Sequence, residues 1–314
     1  MRGVFNYVAA AGVAVGLAVL PLLTSGYHQL EWAYVGVYAC AILGLNVLTG
    51  YTGQISLGHG AFMAVGGYTA ALFTENRLFN TSLTLGLPHL NPLLTLPLAG
   101  AIAGVIGLAL GVPALRLSGL YLALATFAVA VSVPSIAKRF PGQTGGSTGI
   151  VLDVHTGRWL YEVTWSSAAV LFVLVWALLR GRTGRAFRAV RDSETAAVSC
   201  GVDLAVYKTL AFGVSAACAG VAGALLALIA GYANPDTFPL LLSLTILIGA
   251  VVAGLGSLWG VLVGAAFVEF LPVYAQQVSK QAPSVVYGVA LVAIMIVLPT
   301  GFAGLVRRVL RAGS

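Results

Sequence analysis

The sequence predicts an all-α polytopic membrane protein of roughly eight to ten transmembrane helices, with a Gly-interrupted helix and a cytoplasmic coupling helix. Three observations carry this. Hydrophobic residues make up 59% of the 314 and charged residues only 8%, against about 25% charged in soluble domains. The mean hydropathy is +0.98. Apolar runs recur along the whole chain at close to the ~20 residues that one crossing needs. Residues 1–314 therefore read as a single transmembrane domain.

Ten runs are candidate spans: 4–23, 32–49, 54–74, 92–115, 118–137, 164–180, 208–232, 241–255, 257–272 and 284–299. The first, following Arg2, resembles a signal peptide. It is long, and no small-x-small site follows before Tyr27, so a retained first span is expected. The joins 75–91 and 138–163 are modest loops, the second carrying the turn-rich PGQTGGSTG. The GLGS sequence at 254–257 fits either a tight hairpin or a break inside a re-entrant pair.

Orientation follows from the cations. With the N-terminus inside, the cytoplasmic pieces hold Arg2, Arg116, Arg180, Arg182, Arg185, Arg188, Arg191, Lys208, Arg307, Arg308 and Arg311. The outer pieces hold Arg77, Lys138, Arg139, Arg158 and Lys280. Eleven against five favours both termini in the cytoplasm. The net charge of +7 is thus a topology and surface signal rather than a nucleic-acid footprint.

Within this apolar chain the stretch Gly44–Leu72, GLNVLTGYTGQISLGHGAFMAVGGYTAAL, stands apart. Glycines at 44, 50, 53, 58, 60, 66 and 67 interleave with Thr49, Thr52, Gln54, Ser56 and His59. Irregular backbone at membrane depth is tolerated where it is buried in protein or lines a water-filled cavity. A broken segment around Gly50, Gly53, Gly58 and Gly60 is expected, lining a pathway with Thr49, Thr52, Gln54, Ser56 and His59. For Gly66 and Gly67, where the helix runs on, close helix packing is the expected role. His59 has two readings, a neutral imidazole hydrogen-bonded to the backbone of a neighbouring helix or a pathway group beside a helix break. The second Gly-interrupted segment, 249–264, is the natural counterpart of the first, since paired interruptions point to a midplane site.

The cytoplasmic piece 181–207 reads as one short amphipathic helix followed by a turn. Ala186, Phe187, Val190, Ala197 and Val198 fall roughly on one face, and Arg185, Arg188, Arg191 and Asp192 on others. Arg188 and Asp192 are spaced to pair, and Gly201 stops the helix.

Several chemistries are excluded by what the sequence lacks. None of the three lysines follows glycine, so no GxxxxGK[ST] phosphate loop exists. HExxH and CxxC are absent, and the histidines (28, 59, 89, 155) are scattered, so no metal site is expected. Cys40, Cys200 and Cys218 show no paired spacing. Ser56 and His59 lack a third orienting group for a hydrolase. Glu269, the acid deep in a predicted span, is either a pathway group or a side chain reaching the outer surface.

At these residues the chain resembles the permease subunits of branched-chain amino acid ABC transporters, a hydrophobic amino acid uptake family, in their LivM-like form. The resemblance is carried by residues 44–72, TGGSTGI at 144–150, the run 184–227, GAVVAGLGSLWGVLVGA at 249–265 and LPTGFAGL at 298–305. It implies half of the pathway of an ATP-driven importer in a bacterial plasma (inner) membrane, not an enzyme. The implied partners are a second homologous permease, two cytosolic ATP-binding subunits and an extracytoplasmic substrate-binding protein. ATP and Mg²⁺ would be used by those partners, with no cofactor in this chain. The resemblance assigns 181–207 to ATPase docking, through Arg185, Arg188, Asp192, Glu194, Thr195, Ala196, Ala197 and Gly201. The general pattern there is Glu-Ala-Ala, three residues, then Gly; here Thr195 holds the acidic place and Glu194 lies one residue earlier. The implied cargo is branched-chain or other hydrophobic amino acids, with urea or short amides as an alternative. A stand-alone secondary transporter is the reading from another class, disfavoured by the scarcity of intramembrane charge.

Overall fold

The computed structural model describes residues 26–74, 91–117, 119–152 and 156–278, with isolated positions beyond (288, 289, 292, 301, 302, 304). The expected spans 4–23 and 284–299, and most of the loop 75–91, lie outside the described residues. In chain order the helices are α1 (Gly26–Leu45), continued by a π-helical turn (Asn46–Tyr51), α2 (His59–Thr74), α3 (Pro92–Ala114) and α4 (Leu120–Arg139). They continue with α5 (Gly157–Arg180), α6 (Arg182–Asp192), α7 (Glu194–Ser199), α8 (Leu204–Ala230), α9 (Leu240–Ala253) and α10 (Gly260–Val278). Six described helical stretches have the length and apolarity to cross a membrane: 28–51, 92–114, 120–139, 157–180, 204–230 and 235–253. The protein is all-α and polytopic.

The bundle is organised around α8, whose Ala/Gly-rich sequence lets neighbours approach to backbone distance. A Cβ on Gly66 of α2 would lie 1.9 Å from the Gly220 carbonyl oxygen, and one on Gly223 would lie 1.9 Å from that of Met63. On the other side α3 presents Gly100, Gly104, Gly107 and Gly111 to α8, with Ala216 and Ala217 filling the gap. Gly66 and Gly67 therefore serve packing, as expected. Outer faces of α3, α4 and α5 carry exposed Val105, Val112, Leu120, Phe127, Val170 and Val173, a surface that suits lipid.

Several boundaries differ from the sequence expectation, each for a physical reason. The helix expected at 164–180 begins at Gly157, its polar first turns carrying an exposed Arg158–Glu162 pair at 2.9 Å. Asp203 starts α8 four residues early by accepting hydrogen bonds from the Ala205 and Val206 amides. At 254–257 the chain makes a tight hairpin: Gly260 packs on Ala253 and Gly264 on Gly249, so α9 and α10 are antiparallel neighbours. At the opposite end of the bundle, Ile150–Val151 pairs with Tyr232–Ala233 in a two-stranded antiparallel ribbon.

The expected single helix over 181–207 is two. Ser193 is extended (φ −164°, ψ 116°), and its hydroxyl accepts from the Ala196 amide, capping α7 afresh. The restart changes the helical phase. Ala186, Phe187, Val190 and Ala197 are buried, but Val198 is 54% exposed. The expected Arg188–Asp192 pair does not form. Arg188 Nη2 instead donates to the Leu179 carbonyl at 3.5 Å.

Candidate functional site

The span that contains the Gly/Thr/Gln string is broken. After the π turn, residues 53–58 leave the helix, and α2 resumes at His59. Contacts fix the depth of the break. His59 is level with Ser215 and Gly67 with Gly223, so α2 runs parallel to α8. Ser215 lies about 16 Å along α8 from its start, at 1.5 Å per residue. The six residues 53–58, able to span up to about 20 Å when extended, lead from the α6–α7 end inward to that level. This span is thus non-helical over 53–58 and helical from His59 to Thr74.

The unwound backbone is satisfied by the residues that flank it. Thr52 Oγ1 donates to the Leu48 carbonyl at 2.5 Å, and the Gln54 amide reaches the same oxygen at 3.1 Å. Thr49 Oγ1 donates to the Gln54 carbonyl at 3.0 Å, and Gln54 Nε2 to Thr52 Oγ1 at 3.1 Å. Gly53 takes φ +75°, a left-handed conformation that redirects the chain at low cost only for glycine. Further along, the Leu57 amide donates to Thr126 Oγ1 of α4 at 2.9 Å, and the Gly58 amide to Ser56 Oγ at 3.3 Å. The Gly60 amide reaches Ser243 Oγ of α9 at 2.8 Å. His59, fully buried, shares a 3.0 Å hydrogen bond through Nε2 with Ser215 Oγ of α8.

The extended segment alternates. Thr52, Gln54, Ser56 and Gly58 are buried within the chain, whereas Gly53 and Ile55 are exposed and Leu57 is half-buried. The polar string therefore forms the internal scaffold of the break, and the odd-numbered residues present its outer face. Behind Gly58 lies a small cavity of about 80 Å³, bounded by Phe62, Leu110, Pro113, Thr126 and Phe212.

At the end of the bundle where the break begins, three segments meet. Asn46 Oδ1 accepts from the Gly256 amide at 2.7 Å, while its Nδ2 donates to the Ser257 carbonyl, also at 2.7 Å. The π turn that leads into 53–58 is thereby held to the hairpin 254–257. Close approach demands it: a Cβ on Gly50 would fall 2.4 Å from the Gly256 nitrogen. The third segment is the α6–α7 pair. Arg191 Nη1 donates to the Gly50 carbonyl at 2.6 Å, and Glu194 Oε1 meets Lys208 Nζ at 2.7 Å, tying α7 to α8.

A family profile described as the permease component of branched-chain amino acid transport systems matches residues 31–298. The chain belongs to this permease family. The permease is 32% identical over 261 residues to the high-affinity branched-chain amino acid transport system permease protein LivM of Salmonella typhimurium, covering 73% of this chain and 59% of the relative. LivM of Escherichia coli K12 matches to the same extent. LivH of Salmonella typhimurium is 24% identical over 286 residues, covering 85% of this chain and 91% of that protein. The chain thus spans less than two thirds of the length of the LivM relatives. No solved structure matches.

Of the permease residues expected at ATPase docking, Arg185, Asp192, Glu194, Thr195, Ala196 and Gly201 lie at the surface of the α6–α7 pair, together with Arg188. Ala197 is buried beneath them. Gly201, at φ +80°, ends the pair as expected. Replacing Ser193 by alanine removes the α7 cap and should cost about 1 kcal/mol locally. Amide exchange over 194–199 should then speed up about fivefold.

Sequence reasoning missed Asn46, whose amide stands out in an apolar run. It placed Arg191 among the topology signals and on the polar face of the 181–207 helix, without a partner in the break. The hydroxyls of Thr126, Ser215 and Ser243, which receive the break from three other helices, gave no local signal. Glu269 lies half-buried in α10 next to Phe270, whose ring meets Trp32 of α1 at 5.2 Å. That is the end of α1 far from Arg191.

Proposed function

We propose that this permease is one of two transmembrane halves of an ATP-driven importer for branched-chain or other hydrophobic amino acids in a bacterial plasma membrane. The observation that carries the reading is the break at 53–58, held beside an amphipathic helix pair at one end of the bundle. Family membership supplies the class of machine, and the names of the LivM and LivH relatives supply the cargo. In this reading two separate ATP-binding subunits dock on α6–α7 through Arg185, Arg188, Asp192, Glu194, Thr195, Ala196, Ala197 and Gly201, and consume ATP and Mg²⁺. A second permease faces Gly53, Ile55 and Leu57 across the pathway, and Thr49, Thr52, Gln54, Ser56, Gly58, His59 and Gly60 shape its wall from behind. A soluble binding protein delivers substrate at the opposite end, and both termini lie in the cytoplasm.

The geometry supports a route for the coupling. Closure of the ATPases displaces α6–α7, and the half-span 53–58, tethered rather than helical, responds first. The test is reconstitution of the chain with a second permease, both ATPases and a loaded binding protein in proteoliposomes. ATP-dependent leucine uptake is expected, lost when this chain is omitted. Uptake of urea or short amides in place of leucine would change the cargo, and ion-driven uptake by this chain alone would overturn the reading.

A further inference from the structure

Three segments remote in sequence converge at one point below the break. We infer that Arg191, acting on the Gly50 carbonyl, and Asn46, acting on the backbone of the 254–257 hairpin, form a single joint that carries motion of α6–α7 to both helix interruptions at once. The inference rests on the importer reading above and identifies its positioning residues.

Arg191 is placed for this by its backbone as well as by its charge. It occupies the last turn of α6, and its Cα and Cγ lie against Gly53, where an added Cβ would stand 3.7 and 3.5 Å away. Its Nη1 reaches over to the Gly50 carbonyl at 2.6 Å and would lie 3.0 Å from a Cβ on Gly256. The guanidinium thus sits where the π turn, the unwound segment and the hairpin touch. The Gly50 carbonyl belongs to the end of a helix, where carbonyls lack intrahelical partners. A cation there satisfies one of them and complements the helix dipole. A charged donor makes this bond about twice as strong as a neutral one.

Asn46 completes the joint. One amide both accepts from the Gly256 N–H and donates to the Ser257 carbonyl, so it reads two consecutive backbone groups of the hairpin. No aliphatic side chain or carboxylate does both. It is fully buried, one turn before Gly50. A pull on Arg191 acts on Gly50, and Asn46 makes the hairpin follow.

The test uses two readouts. In the reconstituted transporter, Arg191→Ala should lower leucine taken up per ATP about tenfold, the scale of one lost charge-assisted hydrogen bond. ATP hydrolysis by the partner subunits should continue. Arg191→Lys, which keeps a charged donor without the fork, should fall between. Asn46→Asp, which keeps the acceptor and loses the donor, should uncouple similarly, and the double variant should be no worse than the poorer single, as for groups acting through one contact. In the full chain in nanodiscs, Arg191→Ala should raise amide exchange at both 50–54 and 254–258. Wild-type uptake per ATP in the single variants, a parallel fall of hydrolysis and uptake, or multiplying effects in the double would overturn the joint. So would exchange confined to one of the two segments or unchanged in both. A wild-type assembly without ATP-driven uptake would instead overturn the importer reading, and the exchange result would still decide the joint.

Discussion

Replacing Gly66 by alanine is expected to unfold the centre of the bundle, although it adds one methyl group. The new Cβ would stand 1.9 Å from the Gly220 carbonyl oxygen, 2.5 Å from its carbon and 2.6 Å from its Cα. All three atoms are backbone of α8, so no side chain can turn aside. Relief requires α2 and α8 to separate by an ångström or more along their shared length. That would also open the reciprocal contact at Gly223, which sits equally close to the Met63 carbonyl. Overpacking of a core costs about 1–3 kcal/mol where side chains absorb it. Here backbone must move on both helices, and a loss above about 4 kcal/mol places the change in the exceptional class. Gly26→Ala, with nothing within 4 Å of the added atom, is the matched control and should be nearly neutral. Thermal unfolding in detergent and the yield of monodisperse chain both report the difference. A Gly66→Ala protein as stable as the Gly26→Ala one would show that α2 and α8 are not in this contact.

The glycine pairs on α2 were legible because they sit in a stretch of continuous apolar helix, where small residues have packing as their main use. The break was legible for the opposite reason: Gly53 and Gly58 fall among Thr, Gln and Ser, which are poor company for a lipid-facing helix, whereas Gly50 and Gly60, expected in the break too, lie in the flanking π turn and in α2. What could not be read locally was the direction of each side chain. An extended segment alternates faces, so the hydroxyls and amide that suggested a pathway are the ones turned inward to hold the break. The outward face is left to Gly53, Ile55 and Leu57, two of which look like ordinary apolar residues in sequence.

Partnerships across the chain were equally hidden. Asn46 meets residues 256 and 257, and Arg191 meets residue 50. Separations this long leave no periodic trace, and nothing local distinguishes Arg191 from the other arginines of the run. Ser193 shows a different limit. Its capping role was available locally, but hydrophobic periodicity bridged it and merged two helices into one. The error displaced Val198 from a buried face to an exposed one.

Cysteines placed along the break should report its alternation directly in the assembled transporter. With Cys200 replaced, since it is exposed while Cys40 and Cys218 are buried, a charged, water-soluble thiol reagent should modify Gly53→Cys, Ile55→Cys and Leu57→Cys. Thr52→Cys, Gln54→Cys and Ser56→Cys should react at least about a hundredfold more slowly, the ratio set by a local opening free energy of ~3 kcal/mol. The charge on the reagent separates an aqueous pathway from lipid. A residue facing hydrocarbon meets neither the reagent nor the water needed to form its thiolate. Under the importer reading, trapping the partner ATPases closed should change the reactive set, because the π turn that leads into residues 53–57 is attached to α6 through Arg191 and to the hairpin through Asn46. Equal protection at all six positions would mean that the outer face of the break is sealed against a partner or lipid and lines no pathway. Reaction at the even positions instead of the odd would mean that the segment turns over in the assembly, exchanging its scaffold face for its open one.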